Sequence, residues 1–144
     1  MLVNTRDFGE INISEDEILD FPDGIYAFED DHRFVLISPC GDNKYPMWLQ
    51  SIDNVNVCFI LFNPFEFDKD YSITVEESDA ARIDAGEDTP VSYFVIAVVP
   101  SQYVDTTVNM KSPILINNDN HKGMQVIAPE NYPIKFPAFK KEEE

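Results

Sequence analysis

Two histidines, His32 and His121, and two cysteines, Cys40 and Cys58, are the side chains in these 144 residues best suited to nucleophilic or general-base chemistry. A Ser–His or Cys–His catalyst needs its partners within hydrogen-bond reach and the base oriented by a third group. Neither histidine belongs to a recognisable nucleophile motif; both have polar neighbours. No CxxC spacing joins the cysteines, so redox and metal chemistry have no local support. Cys58 lies inside an apolar run and reads as a small core residue, and Cys40 follows Pro39 in a loop. Neither a P-loop nor a GxGxxG stretch occurs. The reading is a protein that is not an enzyme and that needs no cofactor.

One stretch imitates a cation loop. Asn117-Asn118-Asp119-Asn120-His121-Lys122-Gly123 is rich in oxygen donors. Aligning Gly123 with the glycine of a calcium loop puts Lys122 where a ligand is needed and Pro129 where the bidentate glutamate belongs. A hairpin turn is the better reading. Glu29-Asp30-Asp31 is likewise read as a solvated acidic face rather than a metal cage.

Phe65, Phe67 and Tyr71 alternate with Glu66, Asp68 and Asp70 directly after Pro64. Aromatic rings could stack nucleic-acid bases, but that job needs cationic neighbours. Aromatics beside a polar rim suit a protein interface instead. The chain has 27 acidic and 10 basic residues, a net charge of −17. Such a surface repels phosphate and anionic lipid, and it favours fast association with a basic partner. Direct nucleic-acid and membrane binding are therefore not expected, and self-association is opposed, which gives a monomer. The N-terminal residues lack the apolar core of a signal peptide, and no run approaches the ~20 residues of a membrane helix. A cytoplasmic location is the expectation.

The elements that must position these residues are short. Met47-Trp48-Leu49-Gln50-Ser51 and Val57-Cys58-Phe59-Ile60-Leu61-Phe62 flank an Asp53-Asn54 turn and read as adjacent antiparallel strands, with Trp48 in the core and the second run buried on both faces. Residues 10–13, 33–37, 72–75, 91–99, 114–116 and 124–128 are further strand patterns. The last two enclose the 117–123 turn as a hairpin. Ser14 and Glu17 have capping-box spacing. Residues 76–85 form the best helix pattern, with Ser78 as cap and Gly86 as stop. Eight to eleven strands and one short helix amount to an all-β fold: a small barrel-like antiparallel β domain over residues 1–139, followed by a mobile charged tail at 140–144.

Six segments, in order, resemble the FliW family of flagellar assembly factors. They are Thr5-Arg6-Asp7-Phe8-Gly9-Glu10-Ile11; Phe21-Pro22-Asp23-Gly24-Ile25-Tyr26-Ala27-Phe28-Glu29-Asp30; Trp48-Leu49-Gln50-Ser51-Ile52-Asp53; Phe62-Asn63-Pro64-Phe65; Thr107-Val108-Asn109-Met110-Lys111-Ser112-Pro113-Ile114-Leu115-Ile116-Asn117; and Lys122-Gly123-Met124-Gln125-Val126. Ala27 departs from the pattern, which usually has glycine there. The resemblance implies a β-barrel-like, non-enzymatic protein with two partners: flagellin, and CsrA, an RNA-binding repressor of flagellin translation. It implies that CsrA is bound away from its RNA site and antagonised allosterically. Phe21, Pro22, Gly24, Trp48 and Gly123 are read as holding the fold. Asn109, Lys111, Asn117 and Gln125, beside the aromatic set Phe65, Phe67 and Tyr71, are the candidate protein-binding residues. A small-ligand-binding β-barrel is the alternative, and it requires an apolar cavity.

Overall fold

The computed structural model describes residues 1–42 and 44–139; the expected tail at 140–144 lies outside the described residues. In chain order the strands are β1 (Leu2–Thr5), β2 (Gly9–Asn12), β3 (Leu19–Asp20), β4 (Arg33–Ile37), β5 (Met47–Ser51), β6 (Cys58–Phe62), β7 (Val91–Val98), β8 (Thr107–Val108), β9 (Ile114–Asn117), β10 (Lys122–Gln125) and β11 (Phe136–Pro137). The helix α1 (Glu77–Arg82) lies between β6 and β7. Among the described residues no helix is long and apolar enough to cross a membrane.

Seven strands close on themselves. The order β7-β6-β5-β4-β3-β10-β9 returns to β7 because β9 pairs with Val91, Ser92, Tyr93 and Phe94. The last residues of β7, Ala97 and Val98, pair instead with β8, which in turn carries β11. The strand β7 is thus long enough to serve the barrel with one half and a small side flange with the other. Closure removes the exposed edges that an open sheet would present. Among the described residues every strand pair is antiparallel except β3–β10, a single parallel bridge between Asp20 and Lys122. The hairpin β1–β2 forms its own two-stranded sheet, and Val3 and Ile13 pack on Val35 of the barrel wall.

The barrel interior is filled by Phe34, Met47, Leu49, Leu61, Phe94, Ile114 and Ile116, with Phe21 and Ile25 packed among them. A small barrel with its interior filled by side chains has a core where a ligand-binding barrel has a cavity. The pairing of β5 with β6 runs from Met47 opposite Leu61 to Gln50 opposite Cys58, as the two apolar runs predict. Their turn is held by Ser51 Oγ, which accepts the Asn54 N–H at 3.1 Å.

Two expectations, for β6 and for Trp48, fail for one reason, the two-sidedness of a barrel wall. The strand β6 is not buried on both faces: Leu61 is closed to solvent, but Cys58, Phe59, Ile60 and Phe62 are half-buried. Trp48 alternates with the inward Met47 and Leu49, so it lies on the outer surface, half-buried. Residues 72–75 have the strand alternation but find no strand partner among the described residues. The helix is also shifted: Glu76, not Ser78, is the N-cap and makes no side-chain cap bond, and Asp84 at φ 56° ends the helix before Gly86. Ser14 and Glu17 do form a capping box, around one 3-10 turn at Glu15–Glu17.

Candidate protein-binding face

The outer face of β7, β9 and β10 is roofed by the excursion from 63 to 85 and by the segment after β10. Two apolar clusters fill the space beneath, one around Tyr71, Val95, Val108 and Met110, the other around Ile83, Leu115, Met124 and Val126. Of the three candidate aromatics, only Phe65 is well exposed, at 43%. It stands on the 3-10 turn Pro64–Glu66, capped by Asn63 Oδ1, which accepts the Phe65 N–H at 3.0 Å. Phe67 is half-buried between Phe62 and Phe136, at ring-centroid distances of 5.9 Å each. Tyr71 is buried, and its hydroxyl donates to the Met110 carbonyl at 2.7 Å. Burial raises its pKa well above the ordinary tyrosine value, with Tyr132 and Glu130 adding to the shift. Alternation with charge does not carry over into alternation of faces here, because the segment coils in a 3-10 turn instead of running as a strand.

The four polar candidates are tie points within the fold. Asn109 Oδ1 accepts the N–H groups of Lys111 and Ser112, both at 3.1 Å. Lys111 Nζ donates to the carbonyls of Ala128 and Glu130, both at 3.0 Å. Asn117 is buried; Nδ2 donates to the Ile83 carbonyl at 2.7 Å, and Oδ1 accepts the Asp119 N–H at 2.9 Å. Gln125 Oε1 accepts the Tyr26 N–H at 3.0 Å, and Nε2 donates to the Ser112 carbonyl at 3.1 Å. Buried Asn117 and Tyr71 therefore do not present themselves to a partner as the chain stands; their polar atoms satisfy buried backbone groups that would otherwise be left unpaired.

What the sequence reading missed is a groove. Phe65 packs edge-on against Tyr71 and Tyr93, at 5.9 and 6.2 Å between ring centroids. With Ile73 these rings line a cleft of about 160 Å³. Tyr93 also lines a larger groove of about 690 Å³, whose apolar surface includes Val75, Ile83, Val91 and Leu115 and whose rim carries Glu77 and Glu87. Its walls come from segments far apart in sequence, so no local spacing could have announced it.

A third concavity, of about 580 Å³, opens at one end of the barrel, with Asp16, Glu17, Asp42 and His121 among its lining. His121 is in the β9–β10 turn at φ 60°. His32 stands apart from that opening, with Nδ1 3.0 Å from the Phe21 carbonyl, a distance at which Nδ1–H donates. Among the described residues no group of three His, Cys, Asp or Glu side chains could hold a metal ion.

Elsewhere the hairpin turn of residues 6–8 clamps the outer wall. The Arg6 N–H donates to Gln50 Oε1 at 2.9 Å, and the Arg6 guanidinium grips Asp7 while also donating to the Cys58 carbonyl at 3.1 Å. Trp48 Nε1 donates to Asp7 Oδ2 at 3.0 Å, and Phe8 packs edge-on to the indole at 5.1 Å. Gln50 is fully buried; its amide donates to the carbonyls of Ser51, Val55 and Val57.

The family model described as FliW protein matches residues 2–138. The chain belongs to the FliW family. Flagellar assembly factor FliW of Ruminiclostridium cellulolyticum is 35% identical over 127 residues, which cover 88% of this chain and 86% of that protein. Flagellar assembly factor FliW of Caldanaerobacter subterraneus is 36% identical over 143 residues, covering 96% and 93%. A crystal structure of the flagellar assembly factor FliW superposes with a TM-score of 0.90 at 29% identity, covering 99% of this chain and 100% of that one.

The FliW-like segments now have physical roles. Arg6, Asp7 and Phe8 meet Trp48 and Gln50, so two of the six segments form one clamp. Gly24 has φ 68°, and a Cβ there would fall 2.6 Å from Glu29 Cα, so the turn after Pro22 admits no side chain. Ala27, where the FliW pattern usually has glycine, has φ 72°, in the left-handed region that favours glycine.

Proposed function

We propose that this chain is a flagellar assembly factor that acts by binding proteins, with flagellin and the translational repressor CsrA as its two partners. The observation that carries this reading is the family match along 2–138 together with a backbone that follows a solved flagellar assembly factor over its whole length. In this reading the chain binds CsrA away from the RNA path and weakens RNA binding; free flagellin withdraws the chain and leaves CsrA to repress. The net charge of −17 supports a role toward a basic partner and against direct contact with RNA. The protein acts in the cytoplasm, as a monomer when alone, and catalyses no reaction. The filled barrel core argues against the small-ligand alternative. Phe65 and Phe67, on the face beside the groove, are the contact residues we favour. The test is a pull-down from native lysate with the purified chain. Recovery of flagellin and CsrA supports the reading; recovery of neither from a flagellated culture overturns it.

A further inference from the structure

The segment 72–75 has a strand pattern and, among the described residues, no strand beside it, yet one of its edges is occupied. The Ser72 N–H donates to Tyr132 Oη at 2.9 Å, and that hydroxyl donates back to the Ser72 carbonyl at 3.1 Å. The Thr74 N–H donates to Glu130 Oε1 at 3.0 Å, and Thr74 Oγ1 donates to Glu130 Oε2 at 2.6 Å. These bonds fall at i and i+2, the repeat of an extended chain. Such a chain turns the polar groups of alternate residues to opposite edges. Ile73 and Val75 therefore present their N–H and C=O groups on the other edge. None of these four groups has a hydrogen-bond partner among the described residues. Side chains thus hold this segment straight where a neighbouring strand normally would.

The free edge belongs to residues that line both cavities of this face: Ile73 the cleft beside Phe65, Val75 the larger groove, with Tyr93 common to both. The groove is apolar at its base and acidic at its rim. Glu77 and Glu87 form no ion pair among the described residues, nor does neighbouring Asp88. The nearby cations are already engaged: Arg82 bonds Asp23 at 3.1 Å, and Lys122 bonds Asp84 at 2.9 Å.

We infer that this groove takes an extended segment of a partner protein, added as a strand along Ile73 and Val75, whose side chains alternate between apolar residues and Lys or Arg. Strand addition draws affinity from main-chain hydrogen bonds and selectivity from pockets that accept alternate side chains. A docked helix would leave the amides of Ile73 and Val75 unused. Uncharged or acidic strands would leave Glu77 and Glu87 without counter-charges, and the acidic ones would be repelled. The inference rests on the reading that this chain works by binding proteins, but not on which proteins.

The test uses a displayed library of random twelve-residue peptides, selected on the purified full chain, with two variants as counter-screens. Val75→Pro removes one free N–H and places a ring on the edge, while Thr74 remains in the extended geometry that a following proline favours. Glu77→Lys combined with Glu87→Lys alters only exposed side chains. Enriched peptides should alternate apolar with basic residues and bind each variant at least about tenfold more weakly, a change that reports a specific contact. Amide exchange at Ile73 and Val75 should slow on binding. If Val75→Pro does not fold, the double charge variant and the exchange measurement decide. No enrichment over an unrelated protein, or equal affinity for the variants, overturns the inference. Flagellin and CsrA are measured on the same variants. Peptide selection with no recovery of either partner leaves the groove intact and sinks the partner reading; the reverse outcome sinks the groove alone.

Discussion

A Cβ placed on Gly123 of β10 would stand 2.5 Å from Cζ of Phe21, a ring with no solvent exposure. The ring also packs edge-on to Phe34 at 5.1 Å, so it is hemmed in on a second side. Glycine at 123 is a matter of space here, since only a bare backbone lets the wall approach the plug of the barrel. Gly123→Ala should therefore destabilise the protein by about 1–3 kcal/mol, the range for overpacking a filled core. Urea unfolding measures it. Phe21→Leu, destabilising alone, should recover part of the loss in the double variant because the two sites share one contact. Strict additivity would mean that the ring and position 123 do not meet.

The clamp on Trp48 should titrate. Asp7 is held below the usual carboxylate range, chiefly by the Arg6 hydrogen bonds and also by the Trp48 N–H, with burial opposing. A depressed folded-state pKa means the stabilisation is present above the unfolded value of about 3.9 and is lost as pH falls through the folded value. The melting-temperature gap between the parent and Asp7→Asn should be constant near neutrality and should narrow in acid. Parallel curves down to pH 2 would remove Asp7 from the clamp. Trp48→Phe, which keeps a ring for Phe8 but loses the hydrogen bond, should cost about 1 kcal/mol, well short of the loss of a core aromatic.

Ala27 is strained at φ 72°. The left-handed region costs a residue with a Cβ about 1–2 kcal/mol, and glycine gives back about 0.4–1 kcal/mol through its freer unfolded chain. Ala27→Gly should be neutral to about 1 kcal/mol stabilising, and Ala27→Val clearly destabilising. Chemical denaturation of the three proteins under one condition checks the order. A stabilised valine variant would show that the turn does not need that conformation.

The two thiols should separate by reactivity. Burial pushes the Cys58 thiol up to about 11, with Asp7 adding to the rise and Arg6 opposing it, whereas Cys40 is exposed in its loop. Only the thiolate is nucleophilic. At pH 8, iodoacetamide should modify Cys40 in the native protein and reach Cys58 only in denaturant, as peptide mass spectrometry reads out. Equal labelling of both in the folded state would contradict this.

Much of this protein was legible locally. The 117–123 turn announced its hairpin because polar turn residues stand between two apolar runs, and β9 and β10 pair across it. The β5–β6 pair was legible for the same reason, and so was the Ser14–Glu17 capping box. The family pattern was legible as six short strings, although their roles were not: Asn109, Lys111, Asn117 and Gln125 are polar in sequence, and only the fold reveals that loops are tied together through them.

Sequence alone determined an acidic, strand-rich chain with its turns placed and its family marked, because alternation, turn chemistry and net charge depend on neighbours along the chain. Tertiary structure alone decided that β7 would divide between barrel and flange, that Trp48 would face outward toward Asp7, and that 72–75 would be strand-like yet, among the described residues, without a strand partner. Each is a question of which distant segment arrives on which side. Period-two alternation is the same for a strand that finds a partner and for one that does not, and a strand in a closed wall carries no local mark of which face will turn inward.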